Sequence, residues 1–314
     1  MEKSIEVKKK RIFKKKTKQR IFITLMLAYP VLQFLLFFGY VNIDTIVLTF
    51  QKFSWTEGKY IYSGFDNYIM FFDRVINDPW TRRTIINSLF YMPVNSLIIL
   101  PLSMAFSYFL FKKLPFSGFF RVVYFLPSIL PIVVMTMAFS FTFDSNLGPV
   151  NDIYKWFFGM FDSNVVVPSW FGSYPTNQMM IFVYGIWVGL GFNIILMTGA
   201  IARIPEELME YGQLEGVGFF KEFTTVVIPL IWPTIVTTFI LGMTSVFTAL
   251  LQPLFLTPTS GDTNTIALAI YNSVLQNQNI AYMATFGIVL SLFGLPIILL
   301  TRKTLNRFFT EVEY

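Results

Sequence analysis

Four carboxylates fall within ten residues of this chain, at Glu206, Glu207, Glu210 and Glu215, and two glycines, Gly216 and Gly218, follow directly. What such a stretch can do is bounded by what the chain lacks. The 314 residues include no cysteine and no histidine, which removes disulfides, thiolate nucleophiles, imidazole bases and nearly all zinc-site chemistry. Catalysis would fall to carboxylates, lysines, hydroxyls and tyrosines. Nothing in the sequence matches G-x-x-x-x-G-K-[ST], so no loop of backbone N–H groups is available to cradle ATP phosphates. We therefore expect no catalytic residue, no metal site and no cofactor, and read the acidic stretch as mechanical.

Local physics folds that stretch, RIPEELMEYGQLEGVGFFKEFTTVVIPLIWP from Arg203 to Pro233, into a small knob. Pro205 suits the first turn of a helix, where its missing N–H costs nothing. Glu206 and Glu207 then meet the positive end of the helix dipole. The helix is expected over Glu206–Leu214, stopping at Gly216 and Gly218, which permit a sharp turn. A second short helix is expected from Phe219, with Phe219, Phe220 and Phe223 on one side and Lys221 and Glu222 facing away. Two short helices around a glycine hinge make a compact unit.

The elements that must hold this knob are membrane spans. Hydrophobic residues make up 54% of the chain and charged ones 13%, with 37 phenylalanines and a mean hydropathy of +0.59. A soluble domain of this length needs far more charged surface. Crossing about 30 Å of hydrocarbon takes roughly 20 helical residues. Six segments qualify: Ile21–Phe38 (extendable towards Phe50), Ile85–Phe111, Val122–Phe143, Met179–Ile201, Val226–Leu250 and Tyr282–Leu300. The sequence predicts an all-α integral membrane protein with six transmembrane helices. Within the connection 251–281, Ile266–Leu275 is too short to span and reads as an interfacial or re-entrant helix. Prolines 93, 101, 127, 131, 229, 233 and 296 stand inside the spans. Each frees a carbonyl, which suits a bundle that bends or encloses a cavity, although proline is common in membrane helices generally. Gly185, Gly189, Gly191 and Gly199 offer the fourth span places where another helix can come close.

Charge sets the orientation. Ten of the 24 lysines and arginines lie in residues 1–20, directly before the first apolar run. Such a tail orients a span and attracts anionic lipid; lacking interleaved aromatics or a folded basic face, it does not read as a nucleic-acid binder. The apolar run from Ile21 exceeds the h-region of a cleaved signal, and no small-residue cleavage site follows. With the amino terminus inside, segments 1–20, 112–121, 203–225 and 301–314 hold 18 of the basic residues and the outer segments hold 6. That asymmetry places both termini in the cytoplasm. Arg82 and Arg83 dissent on the outer side, where Asp78 stands one helical turn from Arg82 and could pair with it. The organisation is then a basic tail (1–20), a transmembrane domain (21–308) and a short tail (309–314).

At this point the stretch resembles the EAA loop of permease subunits of binding-protein-dependent ABC importers, whose pattern is approximately I-P-x-E-L-x-E-A-A-x-x-D-G-A followed by F and I-x-L-P. Ile204, Pro205, Glu207, Leu208, Glu210, Gly216, Phe223, Ile228 and Pro229 match it. Tyr211 and Gly212 replace two alanines, Glu215 replaces Asp, and Val217 replaces Ala. Phe120-Arg121 with Tyr124-Phe125-Leu126-Pro127 is similar to the family's entry to the third span. Gly148-Pro149-Val150-Asn151 resembles its G-x-x-N outer turn, and Trp187, Gly191, Phe192 and Asn193 its W-x-x-x-G-F-N. Gly64-Phe65-Asp66-Asn67-Tyr68 and Asn87-Ser88 are similar to its signals before the second span. The likeness covers about residues 20–308, and its I-P-x-E-L form is similar to the carbohydrate-uptake branch.

The resemblance implies a type I ABC importer permease fold in the bacterial cell (inner or plasma) membrane. It implies a second permease subunit, two cytoplasmic ATPase subunits that bind the ATP, and an external substrate-binding protein. Residues 203–223 would seat in an ATPase cleft, with Pro205, Glu207, Leu208, Glu210, Gly212, Glu215, Gly216, Phe219 and Phe223 as the coupling set. A sugar passing through would meet amides and aromatics, for which Asn87, Asn95, Trp187, Asn193 and Gln252 are the candidates. Interhelical hydrogen bonding and interface belting account for most such residues in membrane proteins. Asp44 marks the outer end of the first helix. Amino-acid or peptide import is the alternative cargo class. An intramembrane enzyme would need ionisable groups clustered at membrane depth, and an ion-driven transporter would need buried charges or an inverted repeat. Neither is visible.

Overall fold

The computed structural model describes residues 2–112, 115–161, 165–214, 216–258 and 261–308, with the backbone alone for 2–15 and 211–214. Four of its helices are long and apolar enough to cross a membrane: α1 (Lys16–Leu48), α3 (Pro79–Phe111), α7 (Thr176–Ile201) and α13 (Ile280–Leu305). Two further pairs would each make one span if taken together. They are α4 (Ser117–Ile129) with α5 (Ile132–Thr142), bent by 109°, and α9 (Phe219–Leu230) with α10 (Trp232–Thr248), bent by 77°. Shorter helices are α2 (Asp66–Asn77), α6 (Val150–Phe158), α8 (Glu206–Leu214), α11 (Leu251–Leu256) and α12 (Ile266–Leu275).

One correction to the all-α expectation is a two-stranded antiparallel sheet, β1 (Gln51–Ser54) and β2 (Lys59–Tyr62), just after α1. The physical reason is alternation closed by a glycine. Phe53 faces Tyr60 across the strands, with ring centroids 5.3 Å apart, and Gly58 takes a φ of +63° in the turn, which costs a glycine little.

The bends and irregular turns fall at prolines. A π-helical turn, Val94–Ile99, follows Pro93 inside α3, and another, Phe34–Tyr40, follows Pro30 in α1. The α4–α5 corner contains Pro131, and the α9–α10 corner lies between Pro229 and Pro233. A proline removes one i→i−4 hydrogen bond and crowds the preceding turn, so the helix yields there. Pro127 and Pro296 sit inside helices that continue through them.

α3 is the central element, packed by α7 on one side and α10 on another. α7 in turn carries α4, which crosses at Gly191: a β-carbon there would stand 2.5 Å from both Ser128 Oγ and the Tyr124 carbonyl. Gly189 faces Ile99 closely, whereas Gly185 and Gly199 have open space beside them, so only two of the four expected approach points are used. The apolar window of α1 is wholly exposed; α1 touches the rest mainly near its end, against α13 and β1.

Two ends of the bundle are distinct. One carries α8, the other the β1–β2 hairpin and α12. α12 forms as expected but packs within the bundle, against α3, α10 and α13, burying Ile266, Leu268 and Ala269. Asp78 does not pair with Arg82. Its carboxylate instead caps α3, accepting from the Trp80 and Thr81 N–H groups at 3.1 and 3.2 Å and from the Thr81 hydroxyl at 2.6 Å. A free helix end holds unpaired N–H donors, and a side chain already at the N-cap meets them first.

Candidate functional site

α8 runs Glu206–Leu214, as its proline and paired acids dictate, and Gly216 then takes a φ of +70°. That left-handed conformation is open to glycine and costly for β-branched residues. Gly212 lies within α8, and Glu215 lies outside the described residues. Glu206, Glu207 and Glu210 are exposed, Leu208 is 39% exposed and Pro205 is half-buried. Among the described side chains of this helix, Met209 turns inward, joining Ile204 in a core with Leu100, Met104 and Tyr108 of α3 and Met197 of α7. Over its described side chains, 206–210, α8 therefore shows three acids and Leu208 to the outside and is pinned beneath by Met209.

α9 is seated differently. Phe219 and Phe223 pack on Tyr108, their ring centroids 4.7 and 4.9 Å from it, and Phe219 also stacks on Phe109 at 5.4 Å. The Tyr108 hydroxyl donates to the Phe219 carbonyl at 3.3 Å. The expected facing of this helix needs correction. Phe220 is 76% exposed, while Glu222 is 3% exposed and its Oε1 lies 2.6 Å from Lys112 Nζ. Positions 219, 222 and 223 are spaced i, i+3, i+4, which is one helical face; that spacing was the available signal, and the hydrophobicity of Phe220 hid it. At the same end, Trp232 Nε1 donates to the Leu305 carbonyl at 3.0 Å, tying α10 to the end of α13.

The residues proposed to line a pathway do not converge. Asn87 is buried at the hairpin end, donating to the carbonyls of Asp262 and Asn264 at 2.7 and 3.0 Å. Its neighbour Ser88 accepts from the Ile266 N–H at 2.7 Å, so the pair clamps the segment leading into α12. Asn95 donates to the Tyr91 carbonyl and to Ser245 of α10 at 2.8 and 3.2 Å. Asn193 is half-buried and bonds the Gly189 carbonyl one turn back at 2.8 Å. Trp187 is 39% exposed and stacks on Phe139; Gln252 is half-buried on α11, which packs against α5 and α7. Asn87, Asn95 and Asn193 thus spend amide donors inside the fold, and Trp187 is the most exposed of the five.

Other motif asparagines are anchors too. Asn67 donates to the Thr49 and Gln51 carbonyls at 2.8 and 2.7 Å, fixing β1 to the end of α1. Asn151 donates to the Asp144 carbonyl at 2.6 Å and accepts from Trp170 Nε1 at 3.1 Å, closing the turn after α5. Beside Asn87, Arg83 pairs with Asp262 and lies over the Tyr174 ring, 4.6 Å from its centroid. With Trp80 and Arg82 these residues line a cleft of about 630 Å³. Arg83, one of the two arginines that depart from the charge asymmetry of the sequence, is held by an acid far away in sequence.

Comparison with known proteins agrees with this architecture. The chain is 22% identical over 289 residues to a probable ABC transporter permease, YurN, of Bacillus subtilis, covering 91% of this chain and 96% of that one. It is 24% identical to the arabinooligosaccharides transport system permease AraP of Halalkalibacterium halodurans, covering 91% of this chain and 88% of that one. Among solved structures, it superposes with a TM-score of 0.79 on a chain of a bacterial ABC transporter involved in import of the acidic polysaccharide alginate. That match is 21% identical and covers 93% of this chain and 98% of the other. The model of the family described as binding-protein-dependent transport system inner membrane component matches residues 97–308. That match takes in α8, the Gly216 hinge and α9, and the chain belongs to this family.

Proposed function

We propose that this protein is the transmembrane subunit of an ATP-driven importer of sugars or oligosaccharides. It forms half of the translocation pathway and is worked by a separate ATPase through α8, Gly216 and α9. In this reading it crosses the inner membrane six times, each bent pair counting as one span, with both termini and α8 in the cytoplasm. The observation that carries the reading is the construction of the knob. α8 presents Glu206, Glu207, Glu210 and Leu208 outward, where a partner can grip them, while Ile204, Met209, Phe219 and Phe223 root its base among the spans. An element gripped outside and rooted inside can move as a rigid body.

Several relatives support the cargo class by name. AraP is an arabinooligosaccharide permease, NgcF of Streptomyces coelicolor a diacetylchitobiose uptake permease, and MalF a maltose/maltodextrin permease. One related structure is of an alginate transporter in complex with an alginate pentasaccharide-bound periplasmic protein. The partners we assign follow from that likeness: a second permease, two ATPase subunits that bind the ATP, and an external binding protein. Trp187, Asn193 and Gln252 are the pathway residues we favour, offering one stacking surface and two amides.

The test is reconstitution of the complex in proteoliposomes with its binding protein and labelled oligosaccharides. Uptake that needs ATP and is stopped by vanadate is expected. Uptake driven by an ion gradient without ATP would remove the importer reading. Transport of amino acids or peptides in place of sugars would overturn the cargo assignment alone. Cross-links from a cysteine at position 208 should reach an ATPase subunit.

A further inference from the structure

We infer that Lys112 and Glu222 are positioning residues for coupling, whose buried ion pair makes α3 move with the knob. This rests on the function proposed above and adds the route by which force enters the bundle.

The knob is joined covalently to α7 and α10, and at neither joint does the helix run on straight. Between α7 and α8 the chain passes through a turn at residues 202–205, and between α9 and α10 it bends by 77°. α3, the central span, is distant in sequence and is reached only through non-covalent contacts. Those contacts include an ion pair. Glu222 and Lys112 meet at 2.6 Å with side chains 4% and 20% exposed. The Lys112 ammonium also lies 5.7 Å from the centre of the Tyr108 ring, which itself holds Phe219 and Phe223.

Electrostatics makes this contact all-or-none. Lys112 directly follows the last residue of α3, where a cation is favoured by the negative end of the helix. Glu222 is buried beside Tyr108, Phe219 and Phe223, so sliding α9 along α3 while the two stay packed would part the carboxylate from its counter-charge before water reaches it, which is strongly unfavourable. Apolar contacts alone would let the two helices slide; a single ion pair in a low-dielectric site fixes their register. Displacement of α9 is thereby delivered to α3, and through α3 to α7 and α10, which flank it.

The assembled transporter in proteoliposomes tests this through the number of solute molecules moved per ATP hydrolysed. Glu222→Gln and Lys112→Met should each lower that ratio at least tenfold, and the exchanged pair Lys112→Glu with Glu222→Lys should restore it to within about threefold. Single variants that assemble and keep the wild-type ratio would overturn the inference, as would an exchanged pair that assembles without recovery. A second measurement does not depend on those variants. The chain has no native cysteine, so Phe109→Cys on α3 and Phe220→Cys on the exposed side of α9, next to the Phe219 ring that stacks on Phe109, can be joined by a short thiol cross-linker and compared with the same protein before joining. If α3 and α9 travel together, joining them leaves transport intact; loss of transport that is reversed on cleaving the linker would sink the idea. Wild-type complex lacking ATP-dependent uptake would instead count against the function itself, so the two failures are separable.

Discussion

Gly191 of α7 lies so close to Tyr124 of α4 that a β-carbon on it would stand 2.5 Å from the Tyr124 carbonyl oxygen. The crossing of α4 over α7 is set by that absence of a side chain. Backbone cannot yield as a flexible side chain does, so Gly191→Ala should cost about 1–3 kcal/mol through overpacking. Thermal melting of the purified complex would show a clear fall, and an unchanged melting temperature would refute the close crossing.

Gly216 makes a different demand. Its φ is +70°, yet a β-carbon there would meet nothing within 4 Å. Conformation, and not space, is what excludes other residues. Gly216→Asn should retain most uptake, since asparagine tolerates this region, whereas Gly216→Val should cost roughly 1–2 kcal/mol in backbone strain and displace α8. Uptake assays of the two variants side by side decide it: equal loss in both would mean that crowding by a partner matters more.

Asn87 holds two carbonyls of the segment before α12 with one amide group. Asn87→Leu should cost about 1–3 kcal/mol by leaving those carbonyls unpaired. Hydrogen exchange should accelerate over residues 261–268 while the end bearing α8 stays protected. Uniform change across the chain would argue against a local clamp.

Asp78 gives a pH dependence with a definite sign. The Thr81 hydroxyl above all holds its carboxyl below the usual aspartate value; burial opposes this, and the Trp80 and Thr81 N–H groups and the Arg74 charge each add a smaller lowering. A carboxyl with a lowered folded pKa stabilises above its unfolded value of about 3.9 and loses that contribution as pH falls through the folded value. The start of α3 should therefore be firm from pH 5 to 8 and fray below about pH 4. Asp78→Asn should keep the cap, worth about 1 kcal/mol, and abolish its pH dependence. Exchange rates of the Trp80 and Thr81 amides would report both effects, and fraying at pH 6 would contradict the assignment.

Much of this molecule is written locally. The spans, α8 with its Pro205 start and Leu214 end, the Gly216 hinge and the short α12 all follow from apolar length, capping and turn chemistry, which act over a few residues. What only the tertiary structure decided is pairing across distance. Glu222 meets Lys112, Arg83 meets Asp262, and Asn87 holds Asn264, over separations that no periodicity encodes. Hydrophobicity groups Phe220 with its neighbours, but the face of α9 is chosen by Tyr108, an aromatic on another helix. The sharp corner at Pro131 shows the same division: the proline made a break available, and packing set its 109°. Local sequence lowers the energy of an element, whereas burial against a partner determines which of its faces keeps a charge.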